Sequence, residues 1–359
     1  YKRDVMPLCD EIDEAARAIG SVNTLVRRDG KLLAFNTDAA GFCFMARRAG
    51  IDFAGTKTVV LGSGGASHTV VACARQLGAR EVVVISRSGE NNYGNLSRHA
   101  DADILVNATP VGMFPDNGAS PVDLTAFPKC RGVLDLIYNP RRTALILQAH
   151  ALGIPCSDGL PMLVAQATVA EEHFGCTQIP EGENERILRL LRQETENIVL
   201  IGMPGCGKST VGVVLAKSLG MDFVDSDLVI QSTMGATLAQ LIEQHGDDGF
   251  RDIENRVNAS IDVQNSIIAT GGSVVYGAEA MTHLKSIGTV VYLRLTCKNI
   301  TERLGDLHAR GVTIKPGWTL RDLYNERCPL YEQYADIVQD CDGLRLRDVV
   351  AELQKKLKG

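Results

Sequence analysis

The pattern with the clearest chemistry in this 359-residue chain is Gly202-Met-Pro-Gly-Cys-Gly-Lys208-Ser209, which directly follows an apolar run at residues 197–201. Glycines at these positions let a tight turn present backbone N–H groups to phosphates, and the helix that follows adds its positive end. In such a loop the lysine reaches the β- and γ-phosphates and the serine binds Mg²⁺. The pattern therefore predicts a site for ATP. The residues predicted to bind it are Gly205, Cys206, Gly207, Lys208, Ser209 and Thr210.

A second glycine-rich turn, Gly62-Ser-Gly-Gly-Ala-Ser67, follows the apolar residues 58–61. Its spacing suits the pyrophosphate of a dinucleotide rather than a triphosphate, which predicts contacts from Gly62, Gly64, Gly65 and Ala66. The next predicted strand ends in Ser86-Arg87-Ser88. An acidic residue at this point would favour NAD, but these three positions contain none. Because Arg87 can pair with a 2′-phosphate, Ser86, Arg87 and Ser88 are predicted to bind NADP(H). Two unlike nucleotide sites predict two activities on one chain.

The elements that must position these sites indicate an α/β protein. Residues 4–20 have helical spacing of apolar side chains, and a hairpin is predicted to turn at Asp29-Gly30. From residue 57 onward, short Val/Ile-rich runs alternate with helical stretches, which predicts a Rossmann-like parallel sheet. Its predicted strands are residues 58–61, 82–85, 104–106 and 133–136. The short run 88–107 predicts that one helix is missing there. An amphipathic helix closes this half, with Ile187, Leu188, Leu190 and Leu191 on one side.

Composition and charge exclude several classes of protein. The 45% hydrophobic and 22% charged residues fit a globular protein of two or three domains, not a disordered or membrane protein. A net charge of −6 disfavours a nucleic-acid partner. The ten cysteines lack paired spacing, which indicates a reducing cytoplasm. The first residue is Tyr1 rather than methionine, and we expect the start of the protein to lie upstream. The oligomeric state is left open.

Four further elements follow the phosphate loop in order. They are residues 223–227, 249–254, 269–272 and 326–331. Together with the loop they resemble shikimate kinase over residues 197–340, which implies a P-loop NTPase-type α/β domain. Asp225 and Asp227 stand two apart at a predicted strand end, so both project to one side and can serve a metal and a substrate hydroxyl. The resemblance implies that Asp225 joins Ser209 in the Mg²⁺ shell. It also implies that Asp227 binds the ring hydroxyls, where it can accept the proton of the attacking hydroxyl.

The same resemblance implies a pocket for a small carboxylate. Arg251 and Arg327 suit bidentate capture of a carboxylate, and the Gly271-Gly272 turn lets the backbone approach the substrate ring. The family's lid arginine falls at Arg310, in a glycine-containing segment expected to close over ATP. For Glu254 two interpretations stay open, an ion pair that orients Arg251 or a direct contact with the substrate.

The first half carries its own set of matching motifs. They are residues 18–24 with Asn23-Thr24, residues 35–41 with Asn36-Thr37-Asp38, and residues 107–113, 137–140 and 159–166. These resemble shikimate dehydrogenase over residues 1–194. The resemblance implies that Lys2 and Asp38 are the catalytic pair. It also implies that Asn23, Asp38, Tyr138 and Gln166 bind the substrate and that Asn107 and Thr109 bind the cofactor.

The chemistry agrees with that implication, because reducing a ring ketone creates an alkoxide that a lysine ammonium held by an aspartate can protonate. The family's paired serines for the substrate carboxylate have no counterpart in this sequence. We therefore expect them in an upstream segment of about sixty residues.

The two resemblances together predict a bifunctional cytoplasmic enzyme of aromatic amino-acid biosynthesis. NADPH-dependent reduction of 3-dehydroshikimate would give shikimate, and ATP with Mg²⁺ would convert it to shikimate 3-phosphate. No nucleic acid and no membrane are expected as partners. The predicted domains are a partial substrate domain (1–50), a Rossmann-like NADP domain (51–150), closing helices of the dehydrogenase (151–194) and a kinase domain (195–359).

Three alternatives stay open at this point. The first half could be a quinate/shikimate dehydrogenase that uses NAD, or an NADP-binding scaffold that reduces nothing. The second half could be a gluconate- or nucleoside-type small-molecule kinase.

Overall fold

The computed structural model describes residues 1–114, 117–175, 177–180, 182–304 and 317–358. The chain divides into two compact units, Tyr1–Leu191 and Arg192–Gly359. Each unit contains a five-stranded parallel sheet flanked by helices, which confirms the predicted α/β class. Among the described residues, no helix combines the length and the apolar character needed to cross a bilayer.

The first unit opens with a small three-stranded sheet. The predicted hairpin is confirmed: β2 (Thr24–Arg28) and β3 (Lys31–Phe35) pair antiparallel across a turn with φ of 51° at Asp29 and 81° at Gly30. A two-residue strand, β1 (Glu11–Ile12), pairs parallel with β3. In the chain, these three strands precede those of the second sheet of this unit.

The predicted helix over residues 4–20 is wrong for most of its length. Only α1 (Glu14–Ile19) is α-helical, after a 3₁₀ turn at Met6–Leu8 and the strand β1. The Asp10 carboxylate accepts a hydrogen bond from the Leu32 amide, which holds this segment extended along β3. Asp13 then caps α1 by accepting from the Ala15 amide. Tertiary pairing thus overrides the apolar spacing that suggested one longer helix.

The second sheet of this unit is Rossmann-like, and all its strands run parallel in the order β5-β4-β6-β7-β8. The predicted strands are confirmed within one residue at their ends. Between β5 and β6 the chain forms only a 3₁₀ helix, Tyr93–His99, as the short run predicts. Apolar clusters cover both faces, which explains why β4, β6 and β7 are buried throughout. The elements are β4 (Lys57–Leu61), α3 (Gly65–Gln76), β5 (Glu81–Ile85), β6 (Ile104–Asn107), β7 (Gly132–Asp135), α4 (Ala144–Ala151) and β8 (Cys156–Ser157).

Two further helices belong to the first unit, α2 (Thr37–Arg48) and α5 (Leu160–Gly175), and a third, α6 (Glu183–Thr195), begins in it and ends in the second. Gly41 allows a close crossing of α2 and α5, because a Cβ there would lie 2.6 Å from the Met162 carbonyl oxygen. On α6, Leu188 is buried and Ile187 and Leu191 pack beside it, but Leu190 is 43% exposed. The prediction was wrong for Leu190, since two residues along a helix turn the side chain by about 200°.

The second unit has the strand order β10-β11-β9-β12-β13, again entirely parallel. The first strand of this unit, β9, is therefore central, and the phosphate loop leaves its carboxyl end. Ligands of open parallel sheets bind at this edge. The elements are β9 (Asn197–Ile201), α7 (Lys208–Leu219), β10 (Asp222–Asp225), α8 (Ser226–Met234), α9 (Leu238–Asn258), β11 (Ser266–Ala269), α10 (Ala278–Ile287), β12 (Gly288–Arg294), α11 (Cys297–Leu304), α12 (Leu320–Tyr334), β13 (Ile337–Asp340) and α13 (Leu346–Lys358).

Candidate active sites

The phosphate loop of the second unit depends on three glycines with positive φ: 144° at Gly202, 79° at Gly205 and 100° at Gly207. A Cβ at Gly202 would lie 2.8 Å from the Leu293 carbonyl oxygen, so a side chain would collide with the neighbouring strand. Gly207 is the N-cap of α7. Because the first amides of a helix lack intrahelical acceptors, the loop ends in N–H donors suited to an anion.

Lys208 extends back along this loop. Its ammonium Nζ donates to the carbonyl oxygens of Gly202 at 2.7 Å and Met203 at 3.1 Å, and the residue is only 9% exposed. A lysine ammonium has three donor hydrogens, and in the part of the chain that the structure describes the third meets only the Cys206 sulfur, a weak acceptor 4.0 Å away that a phosphate oxygen can replace. The two carbonyls therefore hold a positive charge at the wall of the cavity described next.

A cavity of about 380 Å³ opens beside the loop and gathers many of the predicted residues. It brings together the phosphate loop, the Gly271-Gly272 turn and the side chains of Asp227 and Arg327. Glu254 also lies on its wall. The full lining is Pro204, Gly205, Gly207, Lys208, Ser209, Thr210, Asp227, Leu238, Phe250, Glu254, Thr270, Gly271, Gly272, Ser273, Leu304 and Arg327.

Asp225 and Asp227 have different surroundings although they stand two residues apart. The Ser209 hydroxyl donates to Asp225 Oδ2 at 2.9 Å, while Asp225 Oδ1 caps α8 by accepting from the Asp227 amide at 3.0 Å. Asp225 is thus fixed beside a hydroxyl oxygen. Asp227 faces the cavity, where burial first and the charge of Asp225 second raise the pKa of its carboxyl group.

Glu254 is the most deeply buried carboxylate of this site, at 2% exposure. A Cβ added to Gly271 would collide with Glu254 Oε1 and lie 3.0 Å from Asp227 Oδ1, so the turn must be glycine here. Burial raises the pKa of Glu254 to about 7; a hydrogen bond from Ser273 and the charges of Arg327 and Lys208 oppose that rise.

The ion-pair interpretation for Glu254 assigned Arg251 as its partner. Instead, Arg251 Nη1 lies 3.6 Å from Asp248, and Glu254 lines the cavity. The position of Glu254 therefore fits the second interpretation, contact with a ligand.

Replacing Glu254 by glutamine is expected to remove a pH dependence of stability. The folded chain keeps the proton up to a pKa of about 7, against 4.5 for an unperturbed side chain. The unfolded chain loses it first, so the free energy of unfolding falls as pH rises between these two values. The slope is at most about 1.4 kcal/mol for each pH unit. Denaturant unfolding followed by the fluorescence of Trp318, the one tryptophan of the chain, measures this.

Glu243→Gln is the matched control, since Glu243 lies on the same helix and is exposed. We expect the Glu254→Gln protein to gain stability relative to wild type at pH 8 and to match it near pH 4.5. Identical pH slopes in the wild-type, Glu254→Gln and Glu243→Gln proteins would contradict this account.

Arg251 and Arg327 come together on one aromatic ring, that of Tyr276. The guanidinium carbons lie 4.5 Å and 5.2 Å from the ring centroid, for Arg251 and Arg327 respectively. Arg327 is 2% exposed, and its Nε donates to the Tyr276 hydroxyl at 3.2 Å. Sequence reasoning missed Tyr276, because an aromatic residue four positions after a glycine pair carries no recognisable signal. Arg310 lies outside the described residues.

The candidate site of the first unit is a hydrogen-bonded cluster around Asp38. Lys2 Nζ lies 3.2 Å from Asp38 Oδ2, and the Asn23 amide donates to Asp38 Oδ1 at 2.9 Å. Thr37 accepts from Asn23 Nδ2 at 3.1 Å and donates to Gln166 Oε1 at 3.5 Å. The structure therefore brings together four of the predicted residues, which come from the amino terminus, the hairpin, α2 and α5.

Local structure explains why Asp38 is held so firmly. Asn36 caps α2 by accepting from the Asp38 amide at 3.0 Å, which places Asp38 in the first helical turn. A carboxylate is stabilised there by the helix dipole. Tyr138 does not join the cluster: it is 52% exposed, and within the described part of the chain the cluster's hydrogen bonds do not involve it.

The dinucleotide turn is open to solvent. Gly62 has φ of 102°, and a Cβ there would lie 2.9 Å from the Ala108 carbonyl oxygen. Gly64 caps α3, and a Cβ at Gly64 or Gly65 would meet no atom within 4 Å. Packing within the protein does not require these last two glycines, so the open space above them suits a ligand. Ala66, Arg87 and Ser88 are also exposed, while Ser86 is half-buried and its amide donates to the Asn91 carbonyl.

Asn107 has a structural task in this unit. It is fully buried, its amide donates to Asp135 Oδ1 at 3.0 Å, and its Oδ1 accepts from the Thr109 amide at 3.0 Å and hydroxyl at 2.6 Å. Burial raises the pKa of Asp135 to about 6. The side chain of Asn107 thus holds Thr109, whose methyl group lies beside Gly62.

Comparisons with known proteins support the family predicted for each half of the chain. Residues 204–358 match the sequence model of the shikimate kinase family. A shikimate dehydrogenase (NADP(+)) of Clostridium perfringens is 34% identical over 205 residues, covering 54% of this chain and 76% of the relative. The enzyme of the same name from Caldicellulosiruptor bescii is 38% identical over 189 residues, covering 48% of this chain and 66% of its own.

A solved structure gives the same result for the first half. A chorismate mutase/shikimate 5-dehydrogenase fusion protein from Clostridium acetobutylicum is 36% identical, with a TM-score of 0.51. The match covers 54% of this chain and 75% of the other. The predicted fusion is confirmed: the chain belongs to the shikimate dehydrogenase family and carries, over residues 204–358, a shikimate kinase domain.

Proposed function

We propose that this chain reduces 3-dehydroshikimate to shikimate with NADPH and phosphorylates shikimate with ATP to shikimate 3-phosphate, within aromatic amino-acid biosynthesis. One observation supports this most: each unit gathers the side chains that its own reaction needs. In the first unit Lys2 forms an ion pair with Asp38. In the second, Lys208, Asp227 and Arg327 surround one cavity. We assign residues 1–50 to the substrate side of the dehydrogenase, 51–150 to NADP(H), 151–194 to its closing helices and 195–359 to the kinase.

In the first unit Lys2 holds and delivers a proton. Reduction leaves negative charge on the former ketone oxygen, and NADPH supplies the hydride when bound. The Lys2 side chain is 61% exposed while its ammonium forms an ion pair with Asp38, so it can contact a substrate oxygen and keep this partner. Donation from Nζ to that oxygen completes the alcohol. Asn23 keeps Asp38 oriented, and Gln166 and Tyr138 are proposed to bind ring hydroxyls.

The dinucleotide turn supports NADPH as the reductant. The open space above Gly64 and Gly65 fits a pyrophosphate, and Gly62 together with Thr109 closes the turn from the other side. Arg87 follows β5 as an exposed cation, where a 2′-phosphate would bind.

Arg87→Ala is expected to raise the KM for NADPH at least about tenfold, because a hydrogen bond to a charged group contributes about 1.5–3 kcal/mol. The KM for NADH should stay within about twofold. Steady-state kinetics with both cofactors measure this. Arg80→Ala is the control, since Arg80 precedes the other end of β5 and lies 4.0 Å from Asp103. Equal KM changes for NADPH and NADH would contradict the assignment.

In the second unit the cavity side chains divide the work of phosphoryl transfer. Lys208 and the amides at the start of α7 would hold the phosphates and stabilise the charge that develops on them. The raised pKa of Asp227 makes its carboxylate a better proton acceptor for the attacking hydroxyl than an exposed one. Arg327, which lines the cavity, and Arg251, which lies outside the lining but shares the Tyr276 ring with Arg327, would bind the carboxylate of shikimate. Gly271-Gly272 would face its ring.

The oxygen atoms near the loop fit Mg²⁺. The Ser209 hydroxyl and the Asp225 carboxylate, 2.9 Å apart, are hard ligands of the kind this ion prefers. When bound, Mg²⁺ would neutralise phosphate charge, and Ser209 and Asp225 would hold it directly or through water.

Assays of the purified full-length protein test the proposal. We expect NADPH oxidation with 3-dehydroshikimate and ADP release with shikimate. NADPH binding without reduction would make the first unit a cofactor-binding scaffold. Faster turnover of quinate with NAD would make it a quinate/shikimate dehydrogenase. ADP release with gluconate or a nucleoside but not with shikimate would contradict the kinase assignment.

A further inference from the structure

Tyr276 occupies an unusual place beside the kinase cavity. It ends the 3₁₀ turn Val274–Tyr276, which begins two residues after the Gly271-Gly272 pair. Both substrate-site arginines place their guanidinium groups over its ring, at 4.5 Å and 5.2 Å from the centroid. Its hydroxyl accepts from Arg327 Nε at 3.2 Å and donates to Glu326 Oε2 at 2.5 Å.

Two guanidinium groups near one ring repel each other, and burial strengthens this repulsion because the surroundings screen charge poorly. Arg327 is nearly fully buried, and a buried charge is costly without compensation. The negative face of an aromatic ring attracts cations, so the Tyr276 ring can compensate both at once. The ring face takes none of the in-plane N–H donors, and the Tyr276 hydroxyl takes one, that of Arg327 Nε.

Arg251 still has an unused donor. Its Nε is buried and has no hydrogen-bond acceptor among the described residues, although Nη1 lies 3.6 Å from Asp248. A buried guanidinium N–H without an acceptor is rare in folded proteins, and it suggests that a ligand completes the site. A carboxylate offers the two oxygen acceptors that such a fork matches.

We propose that Tyr276 is a positioning residue, which holds Arg251 and Arg327 in place to bind the carboxylate of the substrate before the substrate arrives. This inference rests on the proposed shikimate kinase function of the second unit. Tyr276 acts on the arginines and does not line the cavity itself. Burial and the hydrogen bond to Glu326 raise the pKa of Tyr276, so its hydroxyl stays protonated at neutral pH and keeps the ring oriented.

Two substitutions separate the ring from the hydroxyl. Tyr276→Leu removes both, and we expect the KM for shikimate to rise about tenfold, equivalent to about 1.4 kcal/mol. Tyr276→Phe keeps the ring, and its KM should rise no more than about threefold. In both variants kcat and the KM for ATP should stay within about twofold of wild type, because neither involves the carboxylate.

A substrate analogue supplies a readout that mere packing would not move. In this analogue a hydroxymethyl group replaces the carboxylate of shikimate, so the arginine pair has no anion to bind. The wild-type and Tyr276→Leu proteins should then show equal KM values. Tyr334→Leu is the control for lost packing, since Tyr334 is a partly buried tyrosine packed on the core of the same unit. Trp318 fluorescence during unfolding reports whether each variant is folded.

An unchanged KM for shikimate in Tyr276→Leu would overturn the inference. An equal KM increase with the neutral analogue would also overturn it, because Tyr276 would then serve packing alone. If Tyr276→Leu does not fold, Tyr276→Phe provides the test. A KM increase as large with the neutral analogue as with shikimate would then overturn the inference. Wild-type protein that releases no ADP with shikimate contradicts the proposed function, and the inference with it. An active wild type with an unaffected Tyr276→Leu variant overturns the inference alone.

Discussion

Lys208→Ala is expected to lower shikimate-dependent ADP release at least about a hundredfold, the usual loss when a preorganised group that stabilises developing charge is removed. The carbonyls of Gly202 and Met203 fix its ammonium at the cavity wall, so this charge is in place before ATP binds. Alanine removes the charge and leaves both carbonyls without their donor. Reduction of 3-dehydroshikimate, which belongs to the other unit, should continue at the wild-type rate.

Lys217→Ala is the matched control for this substitution. Lys217 lies in the last turn of the same helix and is exposed, so alanine there removes one positive charge without altering the loop. An ADP-release assay coupled to NADH oxidation compares the three proteins. Our assignment of the phosphate loop is wrong if Lys208→Ala keeps more than a tenth of the activity, or if Lys217→Ala loses as much.

Lys2→Ala should lower NADPH oxidation with 3-dehydroshikimate by about 10²–10⁴-fold, the range expected for loss of a general acid. The alkoxide would then lack both its proton donor and the positive charge of the Lys2 ammonium. The dinucleotide turn is separate from this cluster, so the affinity for NADPH, measured by the fluorescence of the bound nicotinamide, should stay within about twofold. ADP release with shikimate should not change.

Lys31→Ala serves as the control for Lys2→Ala. Lys31 also forms an exposed ion pair in the first unit, 2.6 Å from Glu11, but it lies on the hairpin away from the Asp38 cluster. A second variant, Asp38→Asn, removes the partner of Lys2 and should lose activity to a comparable extent. Activity of Lys2→Ala within threefold of wild type would show that some other group protonates the product.

The parts of the fold that the sequence predicts well are those governed by local patterns. The turn at Asp29-Gly30 follows from residues that tolerate positive φ, and the buried strands follow from continuous runs of Val, Ile and Leu. The phosphate loop is similar, because three positive-φ glycines and a lysine at fixed spacing determine both its shape and its chemistry.

The parts that sequence reasoning missed depend on distant contacts. The segment before α1 has helical spacing but forms β1. It is held extended by pairing with β3 and by the hydrogen bond from the Leu32 amide to Asp10, and both partners lie more than twenty residues further along the chain. Asn107 lies in a motif implied to bind the cofactor, yet a buried hydrogen bond to Asp135, 28 positions away, uses its amide. No local pattern announces either contact.

The kinase cavity shows the same division. Its glycines, lysine and paired aspartates stand in recognisable motifs, whereas the roles of Glu254 and Tyr276 become visible only once the folded chain is seen. Glu254 gains its raised pKa from burial behind Gly271, and Tyr276 gains its role from two arginines 25 and 51 residues away in the chain.

Coupled turnover of the intact protein tests the central claim most directly, since shikimate must leave one unit as product and enter the other as substrate. Purified chain would receive 3-dehydroshikimate, NADPH, ATP and Mg²⁺, and NADPH loss and ADP gain would be followed together. We predict equal final amounts of oxidised NADPH and ADP, with no ADP when NADPH is omitted. NADPH oxidation without ADP, or ADP formed in the absence of NADPH, would contradict the account.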